Sequence, residues 1–544
     1  MSVLAVPGSP ALPPPVSSPV SSTVCSPVSS PVFSPEGITA RVRRIREPVH
    51  IVSGPDGREL GIATGAVPGG GPVLGTLPPL YPEWLGGRTF CEAHGVRFPY
   101  VAGEMAGGIA TTRMVSEMAR AEMIGFFGAG GLAYPEVERA VHTLAKELGA
   151  RSNWGVNLIH SPAEPTLEWR VAELLLRCGV PRISASAFME LTPAVVLCSA
   201  HGLRRGADGS VVRRTRLLAK VSRPEVAERF LSPAPPALLA PLVARGKLTR
   251  EEAELAALVP VAEDITVEAD SGGHTDNRPL SVLLPRITAL RDTLCGRFGY
   301  HRPVRLGAAG GLGTPDAVAA AFALGASYVV VGSVNQTAVE AGLSDEAKAM
   351  LCDADVSDVA MAPAADMFEL GVKLQVLSRG TMFAQRAGRL HAAYRAHGSL
   401  EEIPPALRTA IERDVLRAPF DETWRRTRAF WEQRDPAEIT RAEADPKHLM
   451  ALVFRWYLGS SSRWAVTGEA SRRADYQIWC GPAMGAFNQW VAGTFLADPA
   501  HRTVVQIALN LLEGAAVLTR AHQLRTHGVP LPPEAFTYTP CELA

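Results

Sequence analysis

The chain has 544 residues, of which 47% are hydrophobic, so it is long enough to bury two or three cores. Lys+Arg and Asp+Glu are equal at 54 each, which excludes a global field that would recruit nucleic acid or an anionic membrane. The eight cysteines form no Cys-x-x-Cys pair and have no histidines at metal-ligand spacing, which argues for a reducing compartment and against a structural metal site.

The first 36 residues repeat Pro, Ser and Val with almost no charge. Such a segment cannot bury enough apolar surface to fold, so we predict a disordered tail over residues 1–36. The N-terminus lacks the basic region of a secretory signal. The longest apolar run near the C-terminus, residues 504–518, is interrupted by polar side chains and is too short for a bilayer that needs about 20 apolar residues. We therefore expect a cytoplasmic protein that binds no membrane.

Residues 37–95 contain short strand-like runs between Gly/Pro turns and are predicted to form an N-terminal cap. From residue 96 onward, short apolar strands alternate with amphipathic stretches. Eight strands are predicted, at residues 98–103, 124–128, 154–159, 182–187, 216–222, 264–270, 303–309 and 327–332. This alternation indicates a parallel sheet, and eight units in a row favour an α/β fold of the (β/α)8 TIM-barrel class over residues 96–400.

The fifth unit is longer than the others and is predicted to carry a helical insertion over residues 224–262. Within it, a Pro-rich break precedes a helix opened by the capping box Thr249-x-x-Glu252. Because loops after barrel strands lie on the catalytic face, the insertion could be a lid; a packing element is an equal alternative. Residues 401–544 hold six of the nine tryptophans and are predicted to form a separate, mostly helical domain.

Glycine turns follow the last two predicted strands. The seventh strand ends at Ala309 and runs into Gly310 and Gly311, and the eighth runs into Gly332 and Ser333. Backbone N–H groups in such turns can approach a phosphate closely, and the loops after strands seven and eight of a barrel frequently bind phosphate. The two turns together predict a phosphate site.

Other strand ends carry small or polar residues. The first strand feeds a loop with Ala106, Gly107 and Gly108, which leaves room for a flat group against the backbone; a flexible loop is the alternative. Asn157 and Lys220 lie near the ends of strands three and five and are predicted to point toward the barrel mouth. Lys220 could donate to an anionic ring or a carbonyl there, or it could be a solvated rim charge.

A single histidine, His274, follows Gly272 and Gly273 at the end of the sixth strand and is flanked by Asp270 and Asp276. Nearby carboxylates hold an imidazole protonated or fix its tautomer, which suits a proton donor. We therefore predict a catalytic role for His274. The sequence contains no nucleophile elbow, P-loop or metal-ligand cluster, so covalent and metal-based chemistry are not expected.

These motifs resemble those of the flavin-dependent barrel family that includes nitronate monooxygenases and FMN-containing enoyl-ACP reductases. The shared motifs are Met105-Ala-Gly-Gly108, Gly272-Gly-His274, Ala308-Ala-Gly-Gly311 and Gly332-Ser333. The chain is more similar to the PfaD branch, enoyl reductases that act in trans within polyunsaturated fatty acid and polyketide synthases. That similarity covers roughly residues 95–520 and includes Gly155–Pro162, Ala219–Pro224, Glu268–Pro279, Met361–Phe368 and Asp475–Phe487. Nitronate-oxidising members tend to carry Gly-His-x-Gly, whereas His274 is followed here by Thr-Asp-Asn.

The resemblance implies FMN at the barrel mouth, with its phosphate on the two glycine turns. The cofactor-binding residues would be Ala106, Gly107, Gly108, Asn157, Lys220, Gly272, Gly273, Ala309, Gly310, Gly311, Gly332 and Ser333. NADPH, or alternatively NADH, would supply a hydride for the β-carbon of a trans-2-enoyl thioester, and His274 would donate or organise the proton for the α-carbon.

The thioester would be carried by an acyl carrier protein of a synthase. Carrier proteins are generally acidic, so basic residues of the helical domain are candidates for docking, with a solvated helix face as an equal alternative. These candidates are Arg425, Arg426, Arg428, Arg455, Arg463, Arg472 and Arg473. A nitronate monooxygenase-like flavin oxidase and a non-catalytic synthase subunit are the rival functions, and a homodimer is an open alternative to a monomer.

Overall fold

The computed structural model describes residues 29–66, 72–162 and 164–544. The chain divides into two compact units, one of Met1–Leu80 with Arg520–Ala535 and one of Tyr81–Thr519 with Phe536–Ala544. The predicted domain boundaries at residues 95/96 and 400/401 do not coincide with the limits of these units, and the division into domains stays a prediction. Residues 1–28 of the predicted tail lie outside the described residues.

The smaller unit is built on a three-stranded antiparallel sheet with the order Leu60–Thr64, Val49–Ser53, Val73–Leu77. Helix Pro35–Val42 precedes the sheet, and the Ser34 hydroxyl caps it by accepting from the Gly37 N–H. Val32 pairs with Ile62 at the edge of the sheet, and the helix begins at Pro35, so the prediction of a disordered tail is wrong for residues 29–36. Helix Pro533–Phe536 is a 3-10 turn near the end of the chain.

The larger unit contains a closed barrel of eight parallel strands, which we number β1 to β8. They are β1 Tyr100–Ala102, β2 Ile124–Phe127, β3 Trp154–Ile159, β4 Arg182–Ser186, β5 Arg216–Val221, β6 Asp264–Glu268, β7 Arg305–Ala309 and β8 Tyr328–Val331. Each strand pairs with the next along the chain, and β8 closes the barrel on β1. The predicted (β/α)8 barrel is confirmed, and all eight predicted strands overlap the observed ones.

Helices follow the strands on the outside of the barrel. They are Thr112–Arg120, Tyr134–Leu148, Pro165–Arg177, Pro193–Ala200, Pro224–Leu231, Leu280–Phe298 and Pro315–Ala323, with the 3-10 turn Ser333–Thr337 and helix Asp345–Cys352 after β8. Most of them have proline in the first turn, where its fixed φ suits a helix and its missing N–H costs no hydrogen bond. Threonine hydroxyls cap three of these helices by accepting from first-turn N–H groups.

The barrel interior is filled by aromatic rings opposite glycines. A Cβ on Gly155 in β3 would collide with the Phe126 ring, and one on Gly307 in β7 would collide with the Tyr328 ring. Helix Arg88–His94 closes the N-terminal end of the barrel. Its Phe90 ring stacks on Tyr328 with centroids 4.2 Å apart. The interior is therefore a packed core, and only the opposite end of the barrel offers a site.

The insertion after β5 adds helices Pro236–Ala244 and Arg250–Ala256, which pack against helix Pro193–Ala200 on the outside of the barrel. The Gly202 N–H donates to Glu252 at 2.6 Å, which ties the second of these helices to the hairpin Arg204–Arg205/Val211–Val212. The insertion is thus a packing element, and the alternative of a lid over the mouth is wrong.

A second antiparallel sheet lies beside the barrel mouth. Strands Val359–Pro363 and Lys373–Leu377 pair with each other, and Gly273–His274 adds to the edge of Lys373–Leu377. This pairing places the predicted catalytic histidine on a short strand, where its backbone is held by hydrogen bonds.

The remaining helices lie mostly in the larger unit, and Val504–Thr526 continues past its limit at Thr519. Those after residue 400 confirm the predicted helical C-terminal region. The α-helices are Phe383–Ala396, Pro405–Ile411, Phe420–Arg434, Pro436–Ala444, Pro446–Thr467, Ala483–Val491 and Val504–Thr526, with a π-helical turn at Glu412–Leu416 and 3-10 turns at Pro82–Trp84, Ala470–Asp475, Phe495–Ala497 and Pro499–His501. Helix Val504–Thr526 is long and apolar enough to cross a membrane, yet 72% of its most apolar window is buried inside the fold, as in a core helix.

Candidate active site

A lysine between two carboxylates occupies the barrel mouth. Lys220 Nζ lies 3.2 Å from Oε1 of Glu104, in the loop after β1, and 3.3 Å from Oε1 of Glu268, the last residue of β6. Burial lowers the pKa of Lys220, but the two carboxylates outweigh burial, and the net pKa is above its usual range. The ammonium therefore keeps its charge at neutral pH. Lys220 is directed into the mouth and is not a solvated rim charge.

Glu104 and Glu268 escaped the sequence analysis, although both obey the strand-end rule that singled out Lys220. Strand register brings Lys220 and Glu268 together, since Lys220 lies opposite Thr266 in β6, two residues before Glu268. Glu104 reaches Lys220 from the loop after β1. Oε1 of Glu104 is buried and lacks a well-aligned hydrogen-bond donor. The mouth thus holds an acceptor that can still take a hydrogen bond from a bound group.

His274 forms a second charged pair at the mouth. Its Nε2 lies 3.1 Å from Oδ1 of Asp366, and both side chains keep about a third of their surface exposed, at 32% and 40%. Burial lowers the pKa of His274, but the Asp366 carboxylate outweighs it and the net pKa is raised. Burial likewise raises the pKa of Asp366, but His274 reverses this and the net pKa is lowered. The pair therefore favours an imidazolium, whose Nδ1–H is left for a substrate.

The carboxylates that flank His274 in the sequence are not its partners. Asp276 accepts from Ser222 Oγ at 2.6 Å and from both arms of the Arg223 guanidinium. Asp270 accepts from Gln375 at 2.8 Å. The prediction that Asp270 and Asp276 hold the imidazole is therefore wrong. Asp366 does so from 92 residues further along the chain, which no local spacing could indicate.

The two glycines before His274 are required by close approach and by backbone conformation. A Cβ on Gly272 would lie 2.8 Å from the backbone nitrogen of Cys480, and Gly273 has φ +82°. A larger residue at position 272 would push the histidine strand away from Cys480, and one at position 273 would be strained by the positive φ. The Gly-Gly-His motif therefore fixes where the imidazole stands.

The two turns predicted to bind phosphate are open. Gly311 and Gly332 have no atom within 4 Å of the position a Cβ would take. Gly310, by contrast, has φ +86° and packs against the backbone of Ala269, so it shapes the turn. Ser333 Oγ accepts from the Gly481 N–H at 3.2 Å, which leaves its own O–H able to donate to a ligand.

The loop after β1 is held against the loop after β2. The Gly107 N–H donates to the Gly130 carbonyl at 2.7 Å and the Gly108 N–H donates to the Gly128 carbonyl at 3.0 Å. A Cβ on Gly128 would collide with the Met105 carbonyl. The loop that carries Ala106 to Gly108 is therefore fixed in place, and the alternative of a flexible loop is wrong. The Gly128-Ala-Gly-Gly131 sequence after β2 was the signal for this packing, and the sequence analysis missed it.

Asn157 lies in β3 and is buried. Its Nδ2 donates to the Ser184 carbonyl at 3.1 Å and to Ser186 Oγ at 2.7 Å, both in β4. Its side-chain oxygen lies on the side of Gly130, next to the loop that carries Ala106. Asn157 therefore links the strands and presents only an acceptor toward the mouth.

Curated relatives of the chain are named as polyunsaturated fatty acid synthase and polyketide biosynthesis proteins. A polyunsaturated fatty acid synthase protein of Thraustochytrium sp. is 48% identical over 467 residues, which are 84% of this chain and 31% of that protein. Polyketide biosynthesis protein PksE of Bacillus subtilis is 44% identical over 436 residues, 80% of this chain and 56% of that protein. The chain thus spans between about a third and just over half of these relatives. Residues 397–476 match the family model described as acyl-carrier-protein S-malonyltransferase, inserted helical domain.

A solved structure decides the family. The enoyl reductase domain of MlnA, from the macrolactin biosynthesis cluster of Bacillus amyloliquefaciens, aligns with a TM-score of 0.78 and 36% identity over 82% of this chain and 99% of that domain. The chain belongs to the PfaD-like enoyl reductase family. The PfaD resemblance of the sequence motifs is confirmed.

One motif of this PfaD-like chain, Asp475–Phe487, lies in the C-terminal helical region and contacts the barrel mouth. We call residues 478–483 the brace segment, because they contact several loops at the barrel mouth. The Cys480 backbone packs on Gly272, the Gly481 N–H donates to Ser333, and the Ala483 carbonyl would collide with a Cβ on Gly313. The brace segment thus fixes both the histidine strand and the two predicted phosphate turns, a long-range contact that the sequence motif did not reveal.

Most of the arginines that were candidates for carrier docking have partners within this PfaD-like chain. Five of the seven are in ion pairs: Arg426 with Glu422, Arg428 with Glu432 and Glu443, Arg455 with Glu369, Arg472 with Asp475, and Arg473 with Glu346. Arg472 is also buried and donates to the carbonyls of Val415 and Leu416. Five of the candidates thus already have carboxylate partners, and carrier docking through this group of arginines stays a prediction.

Proposed function

We propose that the chain is an FMN-dependent enoyl reductase that acts in trans on enoyl thioesters carried by an acyl carrier protein of a polyketide or polyunsaturated fatty acid synthase. The observation that carries the proposal is the meeting, at one barrel mouth, of a permanently charged lysine, a histidine–aspartate pair and two open glycine turns. Family membership supports the reaction class, since the related MlnA domain is an enoyl reductase.

The residues of the mouth fit FMN. The open space over Gly311 and Gly332, together with the Ser333 hydroxyl, suits a phosphate ester. The fixed backbone from Ala106 to Gly108 offers a flat surface for a ring system, and the buried Oε1 of Glu104 offers an acceptor for an N–H group. When bound, FMN supplies hydride transfer from NADPH to the β-carbon of the substrate.

His274 supplies the proton in this proposal. Asp366 keeps the imidazole in its charged form, so Nδ1–H can give a proton to the α-carbon as the β-carbon receives a hydride. The product is the saturated thioester, and the partly exposed ring regains a proton from water. Lys220 has a different part, because its raised pKa keeps it charged and its ammonium stabilises negative charge at the mouth.

Anaerobic rapid mixing tests the proposed activity. NADPH should bleach the flavin absorbance of the purified protein, and a crotonyl thioester should restore it with formation of the saturated product. Bleaching by a nitronate, with recovery by air but not by any enoyl thioester, would identify a flavin oxidase instead. A protein without bound flavin would favour the non-catalytic synthase subunit.

Replacement of the histidine tests its role separately. We expect His274→Ala to retain FMN, because the side chain is not part of the phosphate turns, and to reduce enoyl turnover by roughly 100-fold or more. Flavin content and turnover are measured on the same preparation. An unchanged turnover rate would remove His274 from the mechanism.

A further inference from the structure

A cavity of about 390 Å³ opens beside the barrel mouth, between the loops that follow β5 and β6. Three arginines line it: Arg223, Arg278 and Arg286. Two lining residues are close in sequence to the reactive groups. Ser222 is two positions after Lys220, and Asp276 is two positions after His274. Two residues of extended chain span at most about 7 Å, so the cavity borders the site.

The charge of the lining suits an anion. Arg223 donates to Asp276 through both arms of its guanidinium, so its charge is already paired. Arg278 and Arg286 are exposed and form no ion pair among the described residues. Glu225 is the other acidic lining residue, so three arginines face two carboxylates. Unpaired guanidinium groups are the side chains best suited to bind a phosphate oxygen.

The backbone around the cavity adds to this positive character. Helices Pro224–Leu231 and Leu280–Phe298 both begin among the lining residues, and neither has a side chain that caps its N-terminus. The first-turn N–H groups of each helix therefore lack a side-chain acceptor, and the positive ends of two helix dipoles lie at the same cavity.

The remaining lining is aliphatic and indicates what the anion is attached to. Val282 is 67% exposed, and Pro224, Pro279 and Leu283 also line the cavity, which has no aromatic lining residue. A nicotinamide dinucleotide would find no ring on which to stack its adenine. The pantetheine arm of a carrier protein instead joins a phosphate ester directly to a branched aliphatic unit with two methyl groups.

We propose that this cavity binds the phosphate ester of the 4′-phosphopantetheine arm that carries the enoyl thioester, through Arg278 and Arg286. The inference rests on the proposed enoyl reductase function and names the part of the substrate that the site recognises. Recognition of the carrier arm is thereby placed at the barrel mouth, where the arginines are unpaired, and not on the ion-paired arginines of the helical region.

Two matched substrates test the proposal, crotonyl-4′-phosphopantetheine and crotonyl-pantetheine, which differ only in the phosphate. The wild-type holoenzyme should prefer the phosphorylated substrate by roughly tenfold or more in kcat/KM, because charge-assisted hydrogen bonds are lost with the phosphate. In the double variant Arg278→Gln/Arg286→Gln the ratio between the two substrates should collapse toward one. Arg302→Gln, which removes an exposed arginine before β7 at the other end of the barrel, is the matched control and should keep the wild-type ratio.

Two outcomes would overturn the proposal, and a third measurement separates it from the proposed function. Equal kcat/KM for the two substrates in the wild type would overturn it. So would a double variant that keeps the substrate ratio but raises the KM for NADPH, because the cavity would then hold the dinucleotide. Calorimetric titration with 4′-phosphopantetheine itself needs no turnover, so binding lost in the double variant would support the cavity even if no enoyl thioester were reduced and the proposed function failed.

Discussion

At the scale of single residues, the two cationic side chains at the mouth differ in what they can do with a proton. Lys220 is held between two carboxylates that raise its pKa, so it keeps its proton throughout the neutral range. His274 has one carboxylate partner, which raises its pKa above the ordinary value of a histidine and brings its titration into the working range. Environment thus assigns a fixed charge to one group and proton transfer to the other.

The role of Asp366 is open to a pH measurement. The imidazolium of His274 is the acid, so turnover should be constant at low pH and fall as the pH rises through the His274 pKa. The Asp366 carboxylate raises that pKa, so Asp366→Asn should move the falling limb of kcat to lower pH while FMN content stays the same. The profile is recorded with saturating crotonyl thioester from pH 5.5 to about 9.5.

Asp353→Asn gives the matched control for this profile, since it removes an exposed carboxylate at the end of helix Asp345–Cys352. Its limb should coincide with that of the wild type. A limb that stays in place in Asp366→Asn as well would show that another group gives the proton to the α-carbon.

At the scale of loops and strands, glycines at the mouth have two separate tasks. Gly128, Gly272 and Gly313 allow one backbone to lie against another. Gly311 and Gly332 instead leave space that nothing in the described chain fills within 4 Å. A methyl group should therefore disturb the fold at the first set and ligand binding at Gly332, whereas at Gly311 it would also strain the backbone, which has φ +74° there.

Gly332→Ala separates these tasks. Gly332 has φ −122° and open space around a Cβ, so the variant should keep the wild-type midpoint of urea unfolding, measured without flavin. The methyl group would occupy the predicted phosphate position, so the Kd for FMN should rise by roughly tenfold, as measured by flavin fluorescence titration. Gly388→Ala, in open space within helix Phe383–Ala396, is the control and should leave the Kd for FMN unchanged. Equal Kd values for both variants would place the phosphate elsewhere.

The floor of the barrel is held by a buried polar network at the first residues of its strands. Asp264 at the start of β6 accepts from His94 at 3.0 Å and from both arms of Arg305 at 2.5 and 2.8 Å. Arg182 donates to the other ring nitrogen of His94 at 2.8 Å, and burial lowers the pKa of His94, so this imidazole is neutral. Burial raises the pKa of Asp264, but its two partners outweigh burial and hold the pKa well below its usual range.

This network predicts how stability depends on acid. Because the folded pKa of Asp264 is depressed, its contribution is complete above the unfolded pKa of about 3.9 and is lost as the pH falls toward the folded pKa. Asp264→Asn should be less stable at pH 7 by about 3 kcal/mol, since Arg305 loses a buried partner, and should lose less stability than the wild type between pH 5 and 3.

Urea unfolding at several pH values measures both effects. Asp292→Asn removes an exposed carboxylate and should follow the wild-type pH dependence. An equal loss of stability in wild type and Asp264→Asn over the acid range would show that the floor network does not govern acid unfolding.

At the scale of the whole molecule, the sequence predicts what depends on neighbours along the chain. Apolar runs predict the eight strands, and residues at the strand ends predict Lys220, His274 and the glycine turns. What it misses depends on pairs far apart in sequence, such as Asp366 with His274 and the brace segment with Gly313. These contacts follow from packing of the C-terminal region, and neither spacing nor residue type encodes them locally.

Whether residues 401–544 form a separate domain can be tested, because the barrel and the C-terminal region share one hydrophobic core. A single hydrophobic cluster contains barrel residues such as Val329 and Ile265 together with Ile478, Met484 and Leu511 of the C-terminal region. Residues that share one close-packed core unfold together. We therefore expect flavin release and the change in tryptophan fluorescence, which reports mainly on six tryptophans after residue 400, to occur at one urea concentration. A tryptophan transition at a much lower urea concentration than flavin release would instead show that residues 401–544 fold as a domain of their own.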